Sequence, residues 1–158
     1  MIARAVIGAD VALCRAVLFN KAAHGGTELP WHQDGGSFWG LSRDPELQLW
    51  TALDDAPVEA GCIELVPATH LAGLATPLGG VIPDDIVART GNSAQSIQVP
   101  ARAGEALLIH NYCWHRSGQN ATGAPRRALT VCLMDAAIRC TRRRSPRQFR
   151  RLAAVTPP

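Results

Sequence analysis

His32-Gln33-Asp34 sets an imidazole and a carboxylate two residues apart, and in an extended chain both side chains leave the same face. Alone the triplet decides nothing, because H-x-D arises easily by chance and a His or Asp beside a Gly turn is commonly structural. A second histidine, His115, opens the later run His115-Arg116-Ser117-Gly118-Gln119-Asn120. Two histidines and a carboxylate on a β scaffold can occupy one face of an octahedral Fe(II) and leave the other positions open, as in non-haem iron oxygenases. The same set also accepts zinc or manganese, as in cupin-like metalloenzymes. Arg126 follows across a Gly- and Pro-containing connection, residues 117–125, that reads as a hairpin-like return and would set a guanidinium beside the metal. Its planar fork stays charged at any working pH and can hold the far end of a dicarboxylate while the near end chelates the metal. Arg127, by contrast, is expected to be a surface arginine paired with an acid.

Short strands must carry these groups. Residues 11–20 alternate, and residues 28–31 lead in extended form into His32. In residues 47–53, Leu47, Leu49, Thr51 and Leu53 share one face, and Gln48, Trp50 and Ala52 the other. Residues 62–66, 96–99, 105–110 and 127–134 are further strands, the last with Leu129, Val131 and Leu133 on one face. Gly and Pro punctuate these runs, which predicts a mainly β antiparallel sandwich or barrel. Helix is expected only at 84–89, opened by Pro83-Asp84, and at 145–152, opened by Ser145-Pro146.

With 158 residues, 47% of them hydrophobic, the chain can bury one core. No window is apolar enough to span a membrane, and Arg4, Asp10 and Arg15 break a signal-peptide pattern, so a soluble, cytoplasmic protein is expected. Five scattered cysteines form no C-x-x-C and are expected as buried thiols. Asn120-Ala121-Thr122 matches a glycosylation acceptor but lacks a secretory context. Seven of the sixteen basic residues lie in the last twenty positions, leaving nine basic against thirteen acidic residues in the body. Residues 1–138 are therefore expected as the folded domain and 139–158 as a basic tail or short helix. That cluster is a solvated segment or a dock for an acidic or phosphate-bearing substrate or carrier, while nucleic acid is not an expected partner.

The chain resembles the phytanoyl-CoA dioxygenase family of Fe(II)/2-oxoglutarate oxygenases. The resemblance rests on Leu18-Phe19-Asn20-Lys21, Trp31-His32-Gln33-Asp34, Trp50-Thr51-Ala52-Leu53, Gly61-Cys62-Ile63 with Pro67-Ala68-Thr69-His70, Ala103-Gly104-Glu105, and His115 to Asn120 leading to Arg126. It implies a double-stranded β-helix, the cupin-like jelly roll, with few short helices. It also implies His32, Asp34 and His115 as iron ligands, Arg126 and Ser117 on the distal carboxylate of 2-oxoglutarate, Trp50 lining the cosubstrate pocket, and Gln33 and Lys21 as neighbours of that pocket. The reaction implied is oxidation, usually hydroxylation, of a small-molecule C–H bond with O2, releasing succinate and CO2. Related halogenases replace the carboxylate ligand with a small residue, so Asp34 argues against halogenation. Family members usually carry a largely helical segment before these motifs, whereas 31 residues precede His32 here. A natural minimal form, a fragment and a misplaced start site all fit, and an open sheet face could be covered by a second subunit in a homo-oligomer.

Three other histidines are expected outside the site: His70 as a hydrogen-bonded structural residue, His110 as a partner supporting a ligand or a distant alternative ligand, and His24 in an exposed Gly-rich loop. Ser37, Phe38 and Trp39 fall where the mouth of an active site is expected. A degenerate jelly roll that binds a ligand or partner without catalysis is the non-enzymatic alternative, but it has no use for the triad together with Arg126.

Overall fold

The alternating and Gly-punctuated runs fold as strands, and residues 2–152 are described by the computed structural model of the chain. Helix α1 (Ile2–Ile7) precedes β1 (Val11–Lys21), β2 (Leu29–Gln33), β3 (Leu47–Ala52), β4 (Ile63–Val66) and β5 (Gly80–Val81). Helix α2 (Asp84–Thr90) then leads to β6 (Ile97–Val99), β7 (Ala106–His110), β8 (Trp114–Ser117), β9 (Arg126–Asp135) and β10 (Arg150–Arg151). The strands form two antiparallel sheets in the orders β10-β1-β9-β3-β7 and β5-β2-β8-β4-β6, the expected jelly roll. Among the described residues, no helix is long and apolar enough to cross a membrane.

Which face of each strand points inward was not evident from hydrophobicity. On β9 the buried residues are Arg126, Ala128, Thr130, Cys132 and Met134, while Leu129, Val131 and Leu133 share the outer face. On β3, Gln48, Trp50 and Ala52 are buried, whereas Leu49 and the following Leu53 are exposed. A bulge in β1, where the register against β9 shifts between Leu13 and Arg15, changes the inward parity of that strand. Ala12 and Cys14 are buried before it, and Arg15, Phe19 and Lys21 line the central cavity after it.

Three apolar clusters hold the layers together. Trp50, Ala52, Ile63, Ile109 and Ala128 pack between the sheets. Trp31, Val66, Ile82 and Trp114 pack with Ile86 and Val87 of α2, which explains why that short helix forms where Pro83-Asp84 opens it. Ala12, Cys14, Trp39, Cys132 and Met134 form the third cluster, joined by Phe149. Four of the five cysteines are buried, and all five are free thiols.

The helix expected at 145–152 is not formed. Ser145 takes a left-handed φ of 52°, and Arg150 and Arg151 pair with Leu13 and Ala12 on the edge of β1. Two contacts outweigh local helix signals here: the β1 edge offers unpaired backbone groups, and Phe149 joins the Trp39 cluster. A helix rich in arginine would have had little apolar face to bury. The connection 117–125 also departs from a hairpin, because β8 and β9 lie in different sheets. The connection therefore passes from one sheet to the other and sets Arg126 on the cavity wall opposite the sheet that carries His115.

Candidate active site

His32 on β2 and His115 on β8 are direct cross-strand partners, and their ring centroids lie 4.0 Å apart. Asp34 follows β2 by one residue, its backbone N–H donating to Asn111 O at 2.8 Å. The ligating atoms of His32, Asp34 and His115 all lie within 4.8 Å of one another. Each imidazole has its Nδ1 2.8 Å from a backbone carbonyl two residues back, Pro30 O for His32 and Cys113 O for His115. A carbonyl only accepts, so each Nδ1 carries the proton and each Nε2 keeps a free lone pair.

Protonation fits the same purpose. Burial, followed by the nearby His32, pushes His115 down to about 4, so its imidazole is neutral at pH 7. Burial alone would raise the Asp34 carboxyl, but its interactions with His115, Arg15 and His32 outweigh that and hold Asp34 below its usual range. Two imidazoles, each with Nδ1 tied to a carbonyl, and a carboxylate form a donor set suited to a divalent transition metal.

Across the cavity, Arg126 is 2% exposed. Its Nε donates to Ala60 O at 3.3 Å and its Nη2 to Gly61 O. Among the described residues no carboxylate pairs with it. Arg127, one residue on, points outward and forms a two-bond pair with Asp54 at 2.8 and 2.7 Å, as expected from sequence. A buried guanidinium held only by carbonyls is a cradle for an anion. Gly61 makes the cradle possible: its φ of +70° is left-handed, and a Cβ there would overlap the Gly118 carbonyl oxygen. Asn120 fixes the same corner, its amide donating to Lys21 O, Ala22 O and Ala124 O, so the sequence match to a glycosylation acceptor falls on a fully buried structural side chain.

The cavity between triad and cradle has a volume of about 510 Å³. Ser117, Trp50 and Lys21 line it, with the Arg126 guanidinium 5.8 Å from the Trp50 ring. Lys21 is the direct cross-strand partner of Arg126 and donates to Thr27 O. Burial and then the Arg126 charge push its ammonium down to about 8. The folded value lies below the ordinary lysine value of 10.5, so between these limits the native state holds fewer protons than the unfolded chain and stability rises with pH. Lys21→Met is therefore expected to raise the thermal midpoint most at neutral pH, with an advantage that shrinks as pH climbs through that window. A melting series in which the advantage stays flat with pH would remove the buried charge as its cause.

The profile of phytanoyl-CoA dioxygenase (PhyH) matches residues 1–128. The chain belongs to the phytanoyl-CoA dioxygenase family. Within the family's reach it is 34% identical over 124 residues to phytanoyl-CoA dioxygenase domain-containing protein 1 of Bos taurus, a match covering 74% of this chain and 43% of that one. It is 27% identical over 153 residues to L-proline trans-4-hydroxylase of Streptomyces griseoviridis, covering 82% and 56% of the two chains. The epimerase SnoN, solved with Fe3+, α-ketoglutarate and nogalamycin RO, superposes with a TM-score of 0.76 at 26% identity over 89% of this chain and 56% of that one. The chain thus spans about half the length of the relatives it matches.

Not every residue that the family resemblance singled out reaches the cavity. Gln33, though between His32 and Asp34, points to the opposite face, where its amide donates to Gly73 O and Tyr112 O and accepts from Ala75 N. It ties β2 to the 73–75 loop. His110 lies away from the triad, its Nδ1 accepting from Tyr112 N and its ring 4.9 Å from that of His70. His24 is exposed, as expected. Residues that sequence reasoning did not assign to the site also line it, among them Gln48, Thr130 and Arg15. Arg15 was legible as a charge inside an alternating apolar run, the one signal available for it.

Proposed function

We propose that this chain holds the active site of an Fe(II)- and 2-oxoglutarate-dependent oxygenase that hydroxylates a C–H bond of a small molecule. The observation that carries this reading is Arg126, a buried cation without a carboxylate partner among the described residues, facing a His-Asp-His triad across one cavity. Zinc or manganese hydrolysis would use the triad and leave Arg126 without a role. His32, Asp34 and His115 would hold the iron, which with O2 and 2-oxoglutarate supplies an oxidant strong enough to take hydrogen from an unactivated C–H bond.

The chain's own residues bind and orient. Arg126 and Ser117 receive the distal carboxylate of 2-oxoglutarate, Lys21 adds positive charge beside them, and Trp50 walls the pocket. Substrate enters past Leu18, Phe38 and Val81, which line the cavity and are each about 60% exposed, so an apolar portion of the substrate contacts them. Arg142 donates to Phe38 O and Arg147 to Trp39 O, which places the basic C-terminal segment at this mouth and favours a substrate or carrier with an acidic or phosphate group nearby.

Anaerobic titration of the Fe(II)-loaded protein with 2-oxoglutarate tests this reading. The expected result is the weak visible charge-transfer band of the chelate, saturating at one equivalent. A protein that takes up Fe(II) and shows no such band is not an oxygenase of this class.

A further inference from the structure

Asp34 has two carboxylate oxygens in different settings. Oδ2 lies 3.7 Å from His115 Nε2, facing the histidines, while Oδ1 accepts from Arg15 Nη2 at 2.9 Å. The Arg15 guanidinium in turn lies 4.3 Å from the centre of the Trp39 ring, and Trp39 is buried and held at its carbonyl by Arg147 of the C-terminal segment. Arg15 is thus gripped between an indole face and a carboxylate. It is held there at a cost: its Nε is solvent-excluded and has no hydrogen-bond partner among the described residues, and the same is true of the Nε of Arg147. Two orphaned donors on the two arginines that contact Trp39 mark a contact that stability alone does not explain.

We propose that Arg15 is the positioning residue of the Asp34 metal ligand, holding Oδ1 so that only Oδ2 is presented to the ion. A carboxylate free to rotate must be immobilised before it can bind an ion, whereas anchoring one oxygen on a guanidinium leaves the other already aimed at the site. The C-terminal segment, through Arg147 and Trp39, is the far end of this support. The inference rests on the metal site proposed above and concerns only how that site is held.

Charge and position make opposite predictions for removing Arg15, which makes the test decisive. A cation beside a divalent-ion site repels the ion, so if Arg15 were only a nearby charge its loss would tighten binding. If it positions Asp34, its loss loosens binding by about 10- to 100-fold, the range for residues that orient a ligand. The experiment is Co(II) titration of the full chain by calorimetry, with the visible d–d spectrum recorded on wild type, Arg15→Met and Arg15→Lys. The expected outcome is looser binding and an altered d–d band for R15M, with most of both regained in R15K, because a single donor to Oδ1 is within reach of an ammonium. Arg15→Gln, too short to reach Asp34, is expected to match R15M and replaces it should R15M fail to fold. Neutral variants that bind cobalt as tightly as wild type or more so overturn the proposal, as does an R15K as loose as R15M. Adding 2-oxoglutarate to the Fe(II)-loaded wild type separates the two readings: a missing chelate band defeats the oxygenase assignment and leaves the Arg15 result standing. Wild type that takes up no metal defeats both.

Discussion

His115→Ala is expected to fold and to lose divalent-metal binding by more than about 100-fold, beyond the 10- to 100-fold typical of a residue that only orients a ligand. Three observations set that size. His115 is 5% exposed, its Nδ1–H is committed to Cys113 O, and its Nε2 is the atom left facing Asp34 and His32. Removing it leaves one imidazole and one carboxylate, two of the three donors, a pair that buffer can match. Water entering the vacated space restores no lone pair of comparable strength for a borderline metal. His110→Ala is the matched control, because that ring sits beside His70 and Tyr112 and makes no approach to the triad. Calorimetric titration with Fe(II) or Co(II) decides it: wild-type affinity in His115→Ala would remove the triad as the metal site.

Arg126→Met separates binding from stability. Losing a buried charge-assisted pair to a ligand carboxylate costs about 2–5 kcal/mol, so 2-oxoglutarate affinity is expected to fall about thirtyfold or more while Fe(II) affinity is unchanged. Arg126→Lys keeps the charge without the planar fork and should fall between. The same substitution is expected to raise the thermal midpoint of the ligand-free protein. Among the described residues Arg126 is buried without a carboxylate partner and faces Lys21 directly across the strands, and methionine removes both the desolvation and the like-charge repulsion. Loss of cosubstrate with gain of stability would mark Arg126 as a residue kept for its ligand. An unchanged 2-oxoglutarate affinity would refute the cradle.

Much of the site was legible because metal and dicarboxylate chemistry restricts residue type: His32, Asp34, His115 and Arg126 are brought to one cavity as the sequence indicated. The strand runs were legible for a different reason, their alternation. What alternation could not reveal was which face was inside. In β3 and β9 the inner face carries Gln48, Trp50, Arg126 and Thr130 and the outer face carries leucines, so a hydrophobicity rule points the wrong way around a polar cavity. Gln33 was misjudged by adjacency: it sits between His32 and Asp34, and period-two geometry turns it to the other face. Arg15 depended on the bulge at Cys14, a one-residue insertion that no local residue preference announces. The helix expected at 145–152 failed because strand pairing with β1 is a contact between residues over a hundred positions apart, invisible to local signals.

That last pairing has a consequence for how copies of the molecule meet. The edge of β1 would otherwise present an open row of backbone donors and acceptors, the kind of template on which a second chain can add a strand and begin a stack. Two residues, Arg150 and Arg151, occupy part of that row, and both are exposed and charged. Any approaching strand there meets a pair of like-charged guanidinium groups, so Arg150 and Arg151 guard this stretch of the edge against sheet-to-sheet aggregation.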